Sequence, residues 1–285
     1  MINGRLIKEA REKLNLSQGE LARGITNQAS ISLLEKNNRA PSVKVLSQIS
    51  DRLNVDLNDL LGNPNKIKFQ DQLSKAEQAA QQYNYQAALD ILDGIDISTI
   101  HNDRDRARYG FLRTVSKMWI SQDFKSAIFA FSLLLENTPK QDDIYYFLLL
   151  NGIGVAYYQN DNHQEAAVYF HRIVEQIGHF NADHAHFYWA LFLLSNLAKF
   201  YSRESDLPLS NQLAEQGIRI AKSHSTTLFV EDFYYVYAFN LSENGADTAK
   251  VISYYRLAES FSVFNQDSIV MNKAREKITR LEKKI

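Results

Sequence analysis

The sequence predicts an all-α protein: a bundle of short helices at the N-terminus, followed by an array of helix pairs. Apolar residues recur mainly at spacings of three and four, and only 4 prolines and 11 glycines punctuate the 285 residues. Polar turn segments also return at regular intervals through the last three quarters of the chain. With 45% hydrophobic residues the chain can bury a sizeable core, and its length suits one domain plus a repeat array.

Five helices are expected in the first 61 residues. The first runs from about Asn3 to Leu14, with Leu6, Ala10 and Leu14 on one face and Arg5, Lys8, Arg11 and Lys13 mostly on the other. Ser17 followed three residues later by Glu20 is a capping box that opens the second, and Gly24 ends it. Thr26 or Asn27 caps the third, which reaches about Lys36 and is stopped by the loop through Pro41. Ser42 opens the fourth, with Val45, Leu46, Ile49 and Leu53 inward, and Asp56 caps a fifth that ends at Leu61.

A tight turn between the second and third of five such helices describes a helix-turn-helix domain. The stretches LSQGELA (Leu16 to Ala22), ISLLEKNNRAPS (Ile31 to Ser42) and VLSQISDRLNVDLNDLL (Val45 to Leu61) resemble the Cro/repressor, or XRE, type of this domain. That resemblance implies DNA binding through the third helix. Ile31 and Leu34 share one helical face and anchor it, so Gln28, Ala29, Ser32 and Leu33 face the major groove. Gln28 suits a bidentate contact to adenine, and Ala29 and Leu33 suit thymine methyl groups, which implies A·T-containing half-sites. Packing of Leu33 on the fourth helix is the alternative. Ser17, Gln18, Asn27, Lys36, Asn38, Arg39 and Lys44 are expected to position the domain on phosphates. In the resembling family the glutamate of the third helix, here Glu35, accepts from local amides or an arginine. Charge agrees with this placement: residues 1–68 carry 11 Lys and Arg against 7 Asp and Glu, and the remainder 21 against 26.

Residues 62–68, GNPNKIK, have a linker's composition, which divides the chain into 1–61, 62–68 and 69–285. Beyond it, Leu150, Gly154, Tyr157, Ala166 and Phe170 fit the tetratricopeptide pattern of large, small, aromatic, alanine and aromatic positions. Ala87, Ala127, Ala166, Ser210 and Ala249, at spacings of 40, 39, 44 and 39 residues, each follow a polar turn segment and mark five degenerate repeats. The expected architecture is a right-handed superhelix closed by a charged capping helix from Asp267 to Lys284.

The first helices of such pairs form a concave face that suits an extended peptide. Its expected contributors are Tyr109, Leu112, Arg113, Ser116 and Trp119 in the second repeat, and Leu148, Asn151, Val155, Tyr158 and Gln159 in the third. Phe192, Ser195, Asn196, Lys199, Ser202 and Arg203 follow in the fourth, with Tyr237 and Asn240 in the fifth. Asparagines in mid-helix suggest hydrogen bonds to a peptide backbone, with bridging between helices as the alternative. Lys199, Arg203 and Arg113 suit a carboxylate. Most of the 15 tyrosines and 16 phenylalanines are expected to pack repeat on repeat.

No P-loop, GxGxxG or GxSxG motif occurs, no carboxylate pair recommends itself for acid/base work, and His179, His184 and His186 lack metal-ligand spacing. No catalytic role, metal or cofactor is expected. Zero cysteines, no apolar leader and no run long enough to span a bilayer point to the cytoplasm.

A Cro-like domain followed by tetratricopeptide-like repeats, at this length, resembles the peptide-pheromone receptors of the PlcR and Rgg group, within the wider family that includes Rap and NprR. The resemblance implies a quorum-sensing transcription regulator: a homodimer on paired half-sites, controlled by a short re-imported peptide held in the concave face. Leu33 departs from the polar or basic residue common at that position, which leaves the operator sequence open. Two other outcomes stay open: a Rap-like protein-binding or phosphatase-type regulator, and a constitutive phage or plasmid repressor whose repeats only dimerise.

Overall fold

The computed structural model describes residues 2–38, 42–61, 64–100, 102–138, 143–177 and 186–283, and every regular element among them is a helix. Two compact units divide the chain, Met1–His101 and Asn102–Ile285.

The first unit begins with α1 (Gly4–Lys13), α2 (Gln18–Ala22), α3 (Gln28–Asn37), α4 (Val43–Leu53) and α5 (Leu57–Leu60). Side chains set where these helices start. Asn3, Ser17, Asn27 and Ser42 each accept a hydrogen bond from a backbone amide of the first turn, and Ser17 with Glu20 closes the capping box. Ile7, Leu21, Ile31, Leu34, Ile49 and Leu60 are fully buried and form one core. Gly4 permits the closest approach, because a Cβ there would strike the Leu34 carbonyl of α3.

Two expectations for this segment need correction. The inward face of α1 is Ile7, Ala10 and Arg11 with Leu6 half-buried against the same core; the expected Leu14 instead caps the helix and stands 48% exposed. The expected linker is helical from Pro64, since α6 spans Pro64–Gln81. Proline is well tolerated in a helix's first turn, where its missing amide has no intrahelical acceptor. Helix α6 packs on α7 (Tyr85–Asp93), so this pair falls in the first unit.

The second unit holds α8 (Asp103–Ser121), α9 (Phe124–Glu136), α10 (Ile144–Gln159), α11 (His163–Ile177), α12 (Phe187–Arg203), α13 (Leu207–Ser223), α14 (Val230–Glu243), α15 (Thr248–Asn265) and α16 (Ser268–Glu282). Each even-numbered helix from α8 to α14 packs on the odd-numbered helix that follows it, and α8, α10, α12, α14 and α16 also lie side by side. Most of α10 is therefore surrounded by protein. Two glycines make room for this: a Cβ on Gly152 would lie 2.7 Å from the Phe131 ring of α9, and one on Gly154 2.7 Å from Phe170 of α11.

The fourth residue of α7, α9, α11, α13 and α15 is buried in every case: Ala88, Ala127, Ala166, Ser210 and Val251. The expected small positions are thus right in the middle three pairs. They slip by one at Ala87 and by two at the exposed Ala249, because both helices begin later relative to their turns than the alanine pattern implies. Helix α16 closes the unit with Asp267 as its cap.

Candidate functional site

The outer face of α3 is the first candidate surface. Gln28 and Ala29 are exposed, Ser32 is half-buried, and Leu33 is 52% exposed beside the fully buried Ile31 and Leu34. The packing alternative for Leu33 therefore does not describe this surface.

A buried ion pair fixes one side of the face. Arg11 Nε donates to Glu35 Oε1 at 2.6 Å and Nη2 to Oε2 at 3.2 Å; Gln18 Nε2 donates to the same Oε2 at 2.8 Å. Gln28 Nε2 in turn donates to Gln18 Oε1 at 2.9 Å. Burial pushes the Glu35 carboxyl up, but hydrogen bonds from Arg11 and Gln18 and the Arg11 charge outweigh it and hold the group below the usual carboxylate range. Glu35 thus braces α1, α2 and α3 together, while Gln18 orients Gln28.

The expected phosphate contacts divide into two kinds. Lys36 and Lys44 are exposed on α3 and α4. Ser17, Asn27 and Asn38 serve as caps, and Asn38 Oδ1 accepts from Gly4 N at 2.9 Å. Arg39 lies outside the described residues.

The second candidate surface runs across α10 and α12. Asn196 Nδ2 donates to Asn151 Oδ1 at 3.2 Å, and Arg203 Nη1 donates to Tyr158 OH at 3.0 Å with its guanidinium 5.6 Å from that ring's centre. Asn196, Lys199 and Arg203 fall on one helical stripe, as do Asn151, Val155 and Tyr158, so the two rows meet rung to rung. Gln159 is exposed at the end of its row.

Several other expected contributors face elsewhere. Ser116 is fully buried and donates to Leu112 O within α8 at 2.7 Å. Tyr109 is buried, whereas Arg113 is half-exposed. Asn240 is fully buried: it accepts from Ser202 Oγ at 2.6 Å and donates to Ser210 Oγ at 2.9 Å and Asn211 Oδ1 at 2.8 Å. It bridges α12, α13 and α14, the structural alternative for such an asparagine. Tyr237 sits against Tyr254 of α15, ring centres 5.0 Å apart, as a packing aromatic.

Sequence reasoning missed the acidic pair in the first turn of α14. Asp232 Oδ2 accepts from Ser195 Oγ at 2.8 Å and pairs with Lys199 Nζ at 2.6 Å. Glu231 accepts from Asn265 Nδ2 at 2.6 Å, and its burial, with Asp232 and Asp267 nearby, pushes its carboxyl up to about 7. The visible signal was two adjacent acids inside the apolar run LFVEDFYYVYAF.

Five short helices, a capped turn between α2 and α3, and an outward polar face on α3 define the N-terminal segment. Residues 7–60 match the helix-turn-helix family. Beyond this helix-turn-helix domain, likeness to solved structures extends over nearly the whole chain. Bacillus thuringiensis PlcR, in complex with the peptide PapR7 and DNA, is 18% identical with a TM-score of 0.65, covering 96% of this chain and 98% of that one. ComR from S. thermophilus, in complex with DNA and its signalling peptide ComS, is 13% identical with a TM-score of 0.60, covering 98% and 99%. The Streptococcus dysgalactiae SHP pheromone receptor Rgg2 is 14% identical with a TM-score of 0.51, covering 99% of each chain. At these identities the likeness establishes a shared fold: a helix-turn-helix domain followed by helical repeats. No curated protein matches the chain. Among the described residues, no helix is long and apolar enough to cross a membrane.

Proposed function

We propose that the chain is a cytoplasmic, non-catalytic quorum-sensing transcription regulator that binds operator DNA as a homodimer and is controlled by a short signalling peptide. The observation that carries the reading is the outer face of α3, where Gln28, Ala29, Ser32 and Leu33 project from a helix pinned by Ile31 and Leu34. Gln28 reads adenine and Leu33 and Ala29 lie on thymine methyl groups, while Lys36, Lys44 and Arg39 hold phosphates. PlcR and ComR, whose fold the chain shares, are described with both DNA and a peptide bound. Asn196, Lys199 and Arg203 on α12 offer the peptide an amide and two cations, with Asn151, only 3% exposed, holding the Asn196 amide from behind. The peptide acts by changing the relative placement of two helix-turn-helix domains, because paired half-sites demand a fixed separation.

Selection of bound duplexes from a random DNA pool tests this. Two A·T-containing half-sites in inverted arrangement are expected. Enrichment of no sequence, or of a single unpaired site, contradicts it.

A further inference from the structure

Two cations on α12 are held in place from both sides. Lys199 and Arg203 stand four residues apart and so share a helical face. Asp232 of α14 fixes the Lys199 ammonium at 2.6 Å and is itself held by Ser195 at 2.8 Å. Tyr158 of α10 fixes Arg203 through its hydroxyl at 3.0 Å and its ring face. The anchor is buried and the head is open: the Asp232 side chain is 11% exposed and that of Lys199 41%. Glu204, next to Arg203 in sequence, turns to His163 Nδ1 at 2.9 Å. An ammonium has three donors and a guanidinium five, so one anchor apiece leaves both groups with donors to offer. One carboxylate against two cations also leaves the stripe with surplus positive charge.

We infer that Lys199 and Arg203 form a seat for a carboxylate of the peptide, with Asp232 as the internal acid that positions the Lys199 ammonium and offsets part of its charge. The seat rests on the peptide-binding reading above and adds the chemical group selected. Donors already fixed by neighbours lose little freedom on binding, and charge-assisted hydrogen bonds are the strong ones. A neutral peptide gains nothing from the seat, and Asp232, by offsetting part of the Lys199 charge, tempers the preference for an acidic one. The carboxylate can be the peptide's C-terminus or an Asp or Glu side chain.

The experiment incubates the full chain with three mixtures of short random-sequence peptides and identifies those retained by mass spectrometry. The first mixture has free C-termini and contains Asp and Glu; the second is C-terminally amidated; the third is amidated and lacks Asp and Glu. Retention from the first should exceed that from the third by about tenfold or more, and the second shows which carboxylate is seated. Lys199→Gln with Arg203→Gln should remove the preference, whereas Asp232→Asn should strengthen it. Far-UV circular dichroism checks the fold of each variant; should the double variant unfold, the single substitutions at these solvent-facing heads carry the test. Equal retention of acidic and acid-free peptides, or an unchanged preference in the folded variants, overturns the seat alone. Retention from no mixture overturns the peptide-binding reading and the seat with it.

Discussion

Leu33 and Glu35 are two positions apart on α3 and do opposite things. Leu33 has no structural use for its exposure, and contact with a thymine methyl gives it one. Leu33→Ala should therefore weaken specific DNA binding by about 1 kcal/mol and leave the melting temperature unchanged, as read by fluorescence anisotropy and calorimetry. Early melting would place Leu33 in the core. Glu35 is the reverse case. Its pKa is held below the unfolded value, so its stabilising contribution is present above that value and is lost as pH falls through the folded one. Glu35→Gln should flatten the acid limb of the stability curve measured by urea denaturation below pH 5, and a limb as steep as before would contradict the role given to the Arg11 pair. Ile31, Leu34 and Leu33 were legible from sequence because a three-residue spacing decides a helical face. The burial of Arg11 was not, because a charged residue on an amphipathic helix reads as outward until its partner, 24 residues away, is known.

At the scale of elements, close approach decides the repeats. Gly154→Val should destabilise the chain by about 1–3 kcal/mol, since Phe170 of α11 stands where the new side chain must go, and thermal unfolding measures it. A neutral effect would show that α10 can shift away from α11. Helix α14 carries the opposite pH sign from α3. The Glu231 carboxyl is pushed up to about 7 by burial, so its favourable contribution is complete below the unfolded glutamate pKa and is lost as pH rises through 7. Stability should fall between about pH 4.5 and 7 and level off above, and Glu231→Gln should remove that slope; a slope that survives would assign it to another group. Repeat spacing was legible through turn residues and buried small positions. The face each first helix offers was not, because α8, α10, α12 and α14 each pack on neighbours on several sides. Ser116, Asn151 and Asn240 look like groove residues in sequence and are buried, while Tyr158, Asn196 and Arg203 stay at least partly open where α10 meets α12.

Over the whole molecule, charge follows the proposed division of labour, with the basic excess in residues 1–68 and the acidic excess beyond. DNA affinity should therefore fall steeply with salt, and Lys44→Ala should lower the slope of log K against log salt by about 1 while weakening all sequences alike. An effect confined to one sequence would make Lys44 a base reader. The two-part architecture was legible because a capping box, an interrupted third helix and a regular return of turns are each local signals. The extent of α6 was not, since GNPNKIK has the composition of a linker and Pro64 suits a helix start equally well. Peptide control of DNA binding is tested most directly by a mobility shift on the DNA upstream of the protein's own gene, with and without synthetic peptides encoded by neighbouring small reading frames. One such peptide should change the apparent affinity at least several-fold, and Asn196→Ala should abolish that response while basal binding persists. DNA binding that ignores every peptide would contradict the account.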